Sequence, residues 1–121
     1  MQNSYKIIGY KGKQVRDNIH SYDLVNMFWN FFKKPTRGEI FNVGGSNYSN
    51  CSILEAIKYC ERKLNKKIKL KLLKTARKGD HIWYISDITK FKKFYPNFRF
   101  KYNIYKILDK LIDFYLDKKK N

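Results

Sequence analysis

The 121-residue sequence has only two cysteines, Cys51 and Cys60, and two histidines, His20 and His81. Neither cysteine belongs to a CxxC pair, and neither histidine lies at a ligand spacing from the other or from a cysteine. That excludes the usual zinc modules and a disulfide framework, and it agrees with a reducing compartment, so a cytoplasmic location is expected. The first residues, MQNSYKIIGYKG, lack the apolar stretch of a secretory signal. No apolar run approaches the ~18 residues that mark a membrane span. Prolines are also few, at positions 35 and 96, where each reads as a helix stop.

Acidic residues are scarce as well, ten against 27 basic ones, for a formal net charge of +17. Such an imbalance raises a nucleic acid or another anion as partner. Five of the basic residues are arginines (positions 16, 37, 62, 77 and 99), which leaves 22 lysines spread from Lys6 to Lys120. Scatter of that kind, beside abundant Asn, Ile, Tyr and Phe, reads as a lysine-favouring background rather than a built patch. Arginine kept against this background points to places needing a planar bidentate fork, which draws notice to Arg16 and Arg77.

What is present is enough for one α/β domain: 43% hydrophobic and 17% aromatic residues can fill a core. Residues 5–20 read as extended, with Gly9 and Gly12 permitting turns. Ser21 or Asp23 starts a helix to about Lys33 that is apolar over most of its circumference. Residues 39–45 read as a buried-type strand leaving through two glycines. Ser52-Ile53-Leu54-Glu55 has the form of a capping box opening a helix to about Leu64. Residues 67–72 alternate strictly, as a half-buried strand with a lysine face does. A loop, 75–80, precedes an extended 81–85. Asp87 and Asn103 are placed to cap the last two helices, and residues 117–121 form a basic tail.

Two polar clusters, GKQVRD and ARKGDH, each set an arginine near a glycine and an aspartate. Such a loop suits a guanidinium clamping phosphate while a carboxylate accepts from a hydroxyl. An Arg–Asp pair that merely fixes a turn has the same composition. A different partner is suggested by residues 90–102, KFKKFYPNFRFKY, where aromatics alternate with cations as in single-strand nucleic-acid binders. The competing reading is an amphipathic helix whose aromatics are core.

The segments GYKGKQVRDNIHSYDL, GEIFNVGGSNYSNCSILEAI and RKGDHIWYISDITKFKKFYPN, in that order, resemble the C-terminal part of extended short-chain dehydrogenase/reductases, the NAD-dependent sugar-nucleotide epimerases and dehydratases. SNCSILEAI and GDHIWYISD are most similar to the CDP-sugar 2-epimerase branch, that of CDP-tyvelose (CDP-paratose) epimerases. The resemblance runs from about Tyr5 to Tyr115. It implies an α/β fold corresponding to the substrate-binding portion of a Rossmann-type epimerase, residues 1–121 forming a single partial domain. It implies that Gln14, Arg16, Arg77 and Asp80 bind substrate: the arginines at the diphosphate, Asp80 at the nucleotide ribose, Gln14 at the loop or sugar. Asn18 stands where relatives often have an aromatic residue. His20 and Asp23 read as loop and cap residues.

The family's glycine-rich dinucleotide turn, GxxGxxG, does not occur in this sequence. Tyr-x-x-x-Lys spacing occurs at Tyr59/Lys63, Tyr102/Lys106 and Tyr115/Lys119, but roughly two such pairs are expected by chance at this composition, so the spacing alone carries little weight. No catalytic, cofactor-binding or metal residue is therefore expected here, and the chain alone should not turn over substrate. In the family, residues 22–45 pack on a nucleotide-domain sheet. The resemblance thus implies a truncated or split epimerase, or a gene remnant, with NAD held elsewhere, a nucleotide-sugar (a CDP-sugar) as ligand, and a separately encoded Rossmann half as a possible partner.

Overall fold

In a computed structural model that describes residues 4–73 and 75–119, the chain builds two small sheets flanked by four helices. The last two positions of the basic tail, Lys120 and Asn121, lie outside the described residues. Strand β1 (Tyr5–Ile8) pairs in parallel with β4 (Leu70–Leu73), Tyr5 opposite Leu70 and Ile8 opposite Leu73. Strand β2 (Val15–Asp17) lies between β3 (Asn50–Ser52), antiparallel to it, and β5 (Trp83–Tyr84), parallel to it.

Helix α1 (Ser21–Lys33) is capped by His20, whose Nδ1 accepts from the Tyr22 N–H at 3.0 Å and whose ring stacks on Tyr102. The helix starts at Ser21 and ends at Lys33 as expected, with His20 as its cap. Asp23 is wholly buried and takes the backbone N–H groups of Lys101 and Tyr102, both at 2.9 Å. Helix α2 (Ile53–Leu64) opens on the expected capping box: the Ser52 Oγ accepts from Glu55 N–H, and the Glu55 carboxylate accepts from Ser52 N–H at 2.7 Å. Helix α4 (Ile104–Asp117) is capped by Asn103, which accepts from Lys106 N–H at 3.0 Å. Helix α3 (Thr89–Phe94) does not have the expected Asp87 cap: Ile88 takes the N-cap position without a side-chain cap bond, while Asp87 accepts from Thr89 N–H at 2.9 Å, and hydrogen bonds from the Thr89 side chain and backbone hold its carboxyl below the usual range.

The core gathers Met27 of α1 with Ile88, Phe91, Tyr95 and Phe98, all buried, and Phe41 and Val43 pack against it. Phe91 meets Phe41 and Phe98 edge to face, the arrangement aromatic quadrupoles favour. Burying a ring of this size contributes about 1.5–3 kcal/mol.

Two expected strands differ. Residues 39–43 run without a ladder, with Ile40 82% exposed while Phe41 and Val43 face the core. The in–out alternation is there, but among the described residues no strand lies beside it to take its backbone bonds. The strand expected from Lys67 begins only at Leu70, because the Ile68 N–H is bonded to the Glu61 carboxylate at 2.8 Å, which ties it to α2 instead of a sheet. Leu70 and Leu72 also stay partly in water, since a two-stranded sheet offers little to cover them.

Candidate functional site

The turn after β1 sets the site's geometry. Gly9 and Gly12 sit at φ +73° and +76°, where a side chain is strained, and they turn the chain out of β1 and into β2 of the second sheet. Gln14 then enters the interior, its Nε2 donating to the Ile8 carbonyl at 3.0 Å. This bond fixes the amide's orientation and leaves Oε1 buried without a partner among the described residues.

Arg16 follows on the central strand. Its Nη1 donates to the Val15 carbonyl at 2.7 Å and its Nη2 to Asp80 Oδ1 at 2.6 Å. The parallel pairing of β2 with β5, begun by Val15 N–H to the Ile82 carbonyl at 2.8 Å, carries the 75–80 loop alongside. That loop closes on itself through Asp80 N–H to the Arg77 carbonyl, and Tyr10 Oη donates to the Asp80 carbonyl at 2.8 Å.

Gln14, Arg16, Arg77 and Asp80 thus line one open cleft of about 250 Å³, together with Lys6 and Ile53. Two segments 64 residues apart in sequence converge there. Arg77 makes no side-chain hydrogen bond or ion pair among the described residues. Two guanidinium groups beside one carboxylate can clamp a dianion while accepting from a hydroxyl.

Asn18 is not part of the lining; its amide donates back to the Arg16 carbonyl. Lys6 and Tyr10 were not legible as site residues, though Tyr10 lies two positions before the GKQVRD cluster. Asp17, the aspartate of the GKQVRD cluster, is not part of the lining: its Oδ2 accepts from Ser46 N–H and Ser86 N–H, both at 3.0 Å, tying the end of β2 to two loops.

The basic aromatic segment 90–102 is not a stacking platform. Phe91, Tyr95 and Phe98 are core residues, and Phe100 lies flat on Tyr48. Among the Tyr-x-x-x-Lys pairs, Tyr59 and Lys63 do approach, with Lys63 Nζ 5.7 Å from the ring centre. Yet Tyr59 donates to Asp109 at 2.7 Å, and that bond pushes the phenol's pKa up. A catalytic tyrosine needs the opposite shift.

The described residues do not fit a dinucleotide cofactor. The cradle for such a cofactor needs glycines whose missing Cβ leaves room for pyrophosphate. Here Gly9 is filled by Ala76, Gly12 by Leu54, Gly44 by Asp17 and Ser86, and Gly45 by backbone of Asn18 and Ser49; Gly38 and Gly79 are open, but each stands singly in an exposed turn and not between a strand and a helix. No helix among the described residues is long and apolar enough to cross a membrane.

No protein-family model matches the chain. A curated relative does: CDP-paratose 2-epimerase of Salmonella typhi is 32% identical over 85 residues, spanning 69% of this chain and 25% of that protein. The fold matches dTDP-glucose 4,6-dehydratase from Bacillus anthracis in complex with NAD, with TM-score 0.79 and 21% identity over 97% of this chain and 36% of the other. It also matches UDP-glucuronic acid 4-epimerase from Bacillus cereus in complex with UDP-glucuronic acid and NAD, with TM-score 0.76 and 23% identity over 89% of this chain and 33% of that one. The chain therefore spans only a quarter to about a third of the proteins it resembles. Within that span, sequence and fold together identify it as a portion of the extended short-chain dehydrogenase/reductase family of NAD-dependent epimerases and dehydratases.

Proposed function

We propose that this chain supplies the nucleotide-sugar cleft of a CDP-sugar 2-epimerase-like enzyme and not its hydride-transfer centre. The observation that carries the reading is the convergence of Gln14, Arg16, Arg77 and Asp80 on one cleft. Arg16 and Arg77 hold the diphosphate, and Asp80 accepts from the nucleotide's ribose. Gln14 holds the β1–β2 turn in place through Ile8, so that Arg16 points into the cleft.

NAD would be held by a Rossmann domain, part of a longer form of the chain or a separate polypeptide. Its docking surface is the outer face of α1, where Val25, Phe28, Trp29 and Phe32 are exposed, continued by the unpaired 39–43 segment. A sheet edge laid against that segment would complete its ladder.

Titrating the full chain with a CDP-sugar tests this reading. Saturable binding, weakened tenfold or more in both Arg16→Ala and Arg77→Ala, is the expected result. Absence of saturable binding by the intact chain would overturn it.

A further inference from the structure

Resting on that reading of the cleft, we infer that Asp80 is a specificity-determining residue, an internal competitor that makes the site reject bare anions and favour diphosphates bearing hydroxyl donors. The geometry carries this. Arg16 is not a waiting cation: Nη1 is committed to the Val15 carbonyl and Nη2 to Asp80 Oδ1 at 2.6 Å, with the two side chains 36% and 25% exposed.

Asp80 Oδ1 occupies one Nη2 donor, so a phosphate that pairs with the whole of Nη2 displaces the carboxylate, and one that uses the remaining Nη2 and Nε donors sits directly beside its negative charge. The carboxylate stays near the site whichever way its side chain turns. Its backbone is anchored by Tyr10 Oη at the carbonyl and by its own N–H to Arg77. It keeps a negative charge beside the incoming anion, which opposes binding. A ligand carrying hydroxyls near its diphosphate removes this opposition, since a freed carboxylate accepts from them. An inorganic anion cannot.

Three probes separate the contributions, titrated by calorimetry or NMR into the full chain: inorganic pyrophosphate, CDP, and 2′,3′-dideoxy-CDP. The wild-type chain should bind CDP about tenfold more tightly than either other probe, a difference of about 1.4 kcal/mol. In Asp80→Ala, pyrophosphate and dideoxy-CDP should bind several-fold more tightly and CDP more weakly, so that the ranking collapses. Asp80→Asn, which keeps the shape of the loop, should repeat the pyrophosphate gain, and unchanged circular dichroism checks the fold of both.

Unchanged or weaker pyrophosphate binding in both variants overturns the competition, while CDP binding that is lost in Arg16→Ala would still uphold the nucleotide cleft. Pyrophosphate gain without any CDP preference in the wild type upholds competition at Arg16 but overturns selectivity for hydroxyl donors and the nucleotide reading. No binding of any probe by any of the proteins overturns both.

Discussion

Asp23 Oδ2 accepts the backbone N–H of Tyr102 at 2.9 Å across 79 positions of sequence, while Oδ1 of the same carboxylate takes Lys101 N–H. The carboxylate is wholly buried on α1, so the start of that helix is bolted to the segment leading into α4. His20, the α1 cap, stacks on the same Tyr102, and Lys101 Nζ sits 4.7 Å from the Tyr22 ring centre. This junction closes the chain's long loop over the core.

Asp23→Ala should therefore destabilise strongly. It leaves two part-buried backbone donors without their acceptors; at about 1 kcal/mol each, the low end for an unsatisfied group, a loss of about 2 kcal/mol is expected in urea unfolding. Asp23→Asn keeps one acceptor oxygen and should lose less. Equal stability of Asp23→Ala and the wild type would show that the junction contributes nothing.

The capping box of α2 gives a smaller, pH-dependent effect. Ser52→Ala should cost about 1 kcal/mol. Hydrogen bonds from the Ser52 backbone and hydroxyl hold the Glu55 carboxyl below the usual glutamate range. With the folded value depressed, its contribution is complete above the unfolded pKa and is lost as pH falls through the folded one. Acid unfolding of Glu55→Gln should accordingly show a shallower stability loss over that window than the wild type, and NMR titration should place the Glu55 midpoint below that of an unstructured glutamate.

Tyr59, Lys63 and Asp109 join α2 to α4. Tyr59 Oη and Lys63 Nζ both meet Asp109 Oδ1, at 2.7 and 3.0 Å. The Tyr59 hydrogen bond comes first in holding the Asp109 carboxyl down, and the Asp109 hydrogen bond comes first in pushing Tyr59 and Lys63 up. In Tyr59→Phe the Asp109 carboxyl should titrate higher than in the wild type, and an alkaline absorbance titration should lose a phenol that ionises above the ordinary tyrosine value. Turnover of an enzyme reassembled around this chain should be unchanged, because the pair lies away from the cleft and its tyrosine is shifted the wrong way for acid–base work.

Local signals were legible. The capping box at Ser52, the cap at Asn103 and the breaks at Gly9 and Gly12 depend on neighbours within a few residues, and the structure holds them as expected. The partners of Asp17 and Asp23 were not legible, because both carboxylates accept from backbone N–H groups 29 to 79 positions away, and backbone donors leave no trace in a sequence. The 39–43 strand failed for a related reason: alternation reports a face, whereas a ladder needs a neighbour. The cleft lay between these cases. Composition singled out Arg16 and Arg77, the ARKGDH cluster set Asp80 beside the second, family resemblance added Gln14, and only the parallel pairing of β2 with β5 brings the two segments together.

Helix α1 offers the remaining test. Its buried positions, Asp23 and Met27, lie one turn apart, while Phe32 is 72% and Trp29 53% exposed on the outside, stacked on each other with centroids 5.4 Å apart. Leaving so large an apolar surface in water is unfavourable by about 25 cal/mol per Å², and surfaces of this kind mark contact sites. If a cofactor domain covers this face, adding one in trans should move the Trp29 fluorescence to shorter wavelength. Trp29→Glu with Phe32→Glu should abolish that association and any NAD-dependent turnover, while leaving CDP-sugar binding at the Arg16 cleft within a factor of about two, a change of under half a kcal/mol. Association that survives both charges would place the docking surface elsewhere, and loss of CDP-sugar binding in the same variant would mean that α1 supports the cleft itself.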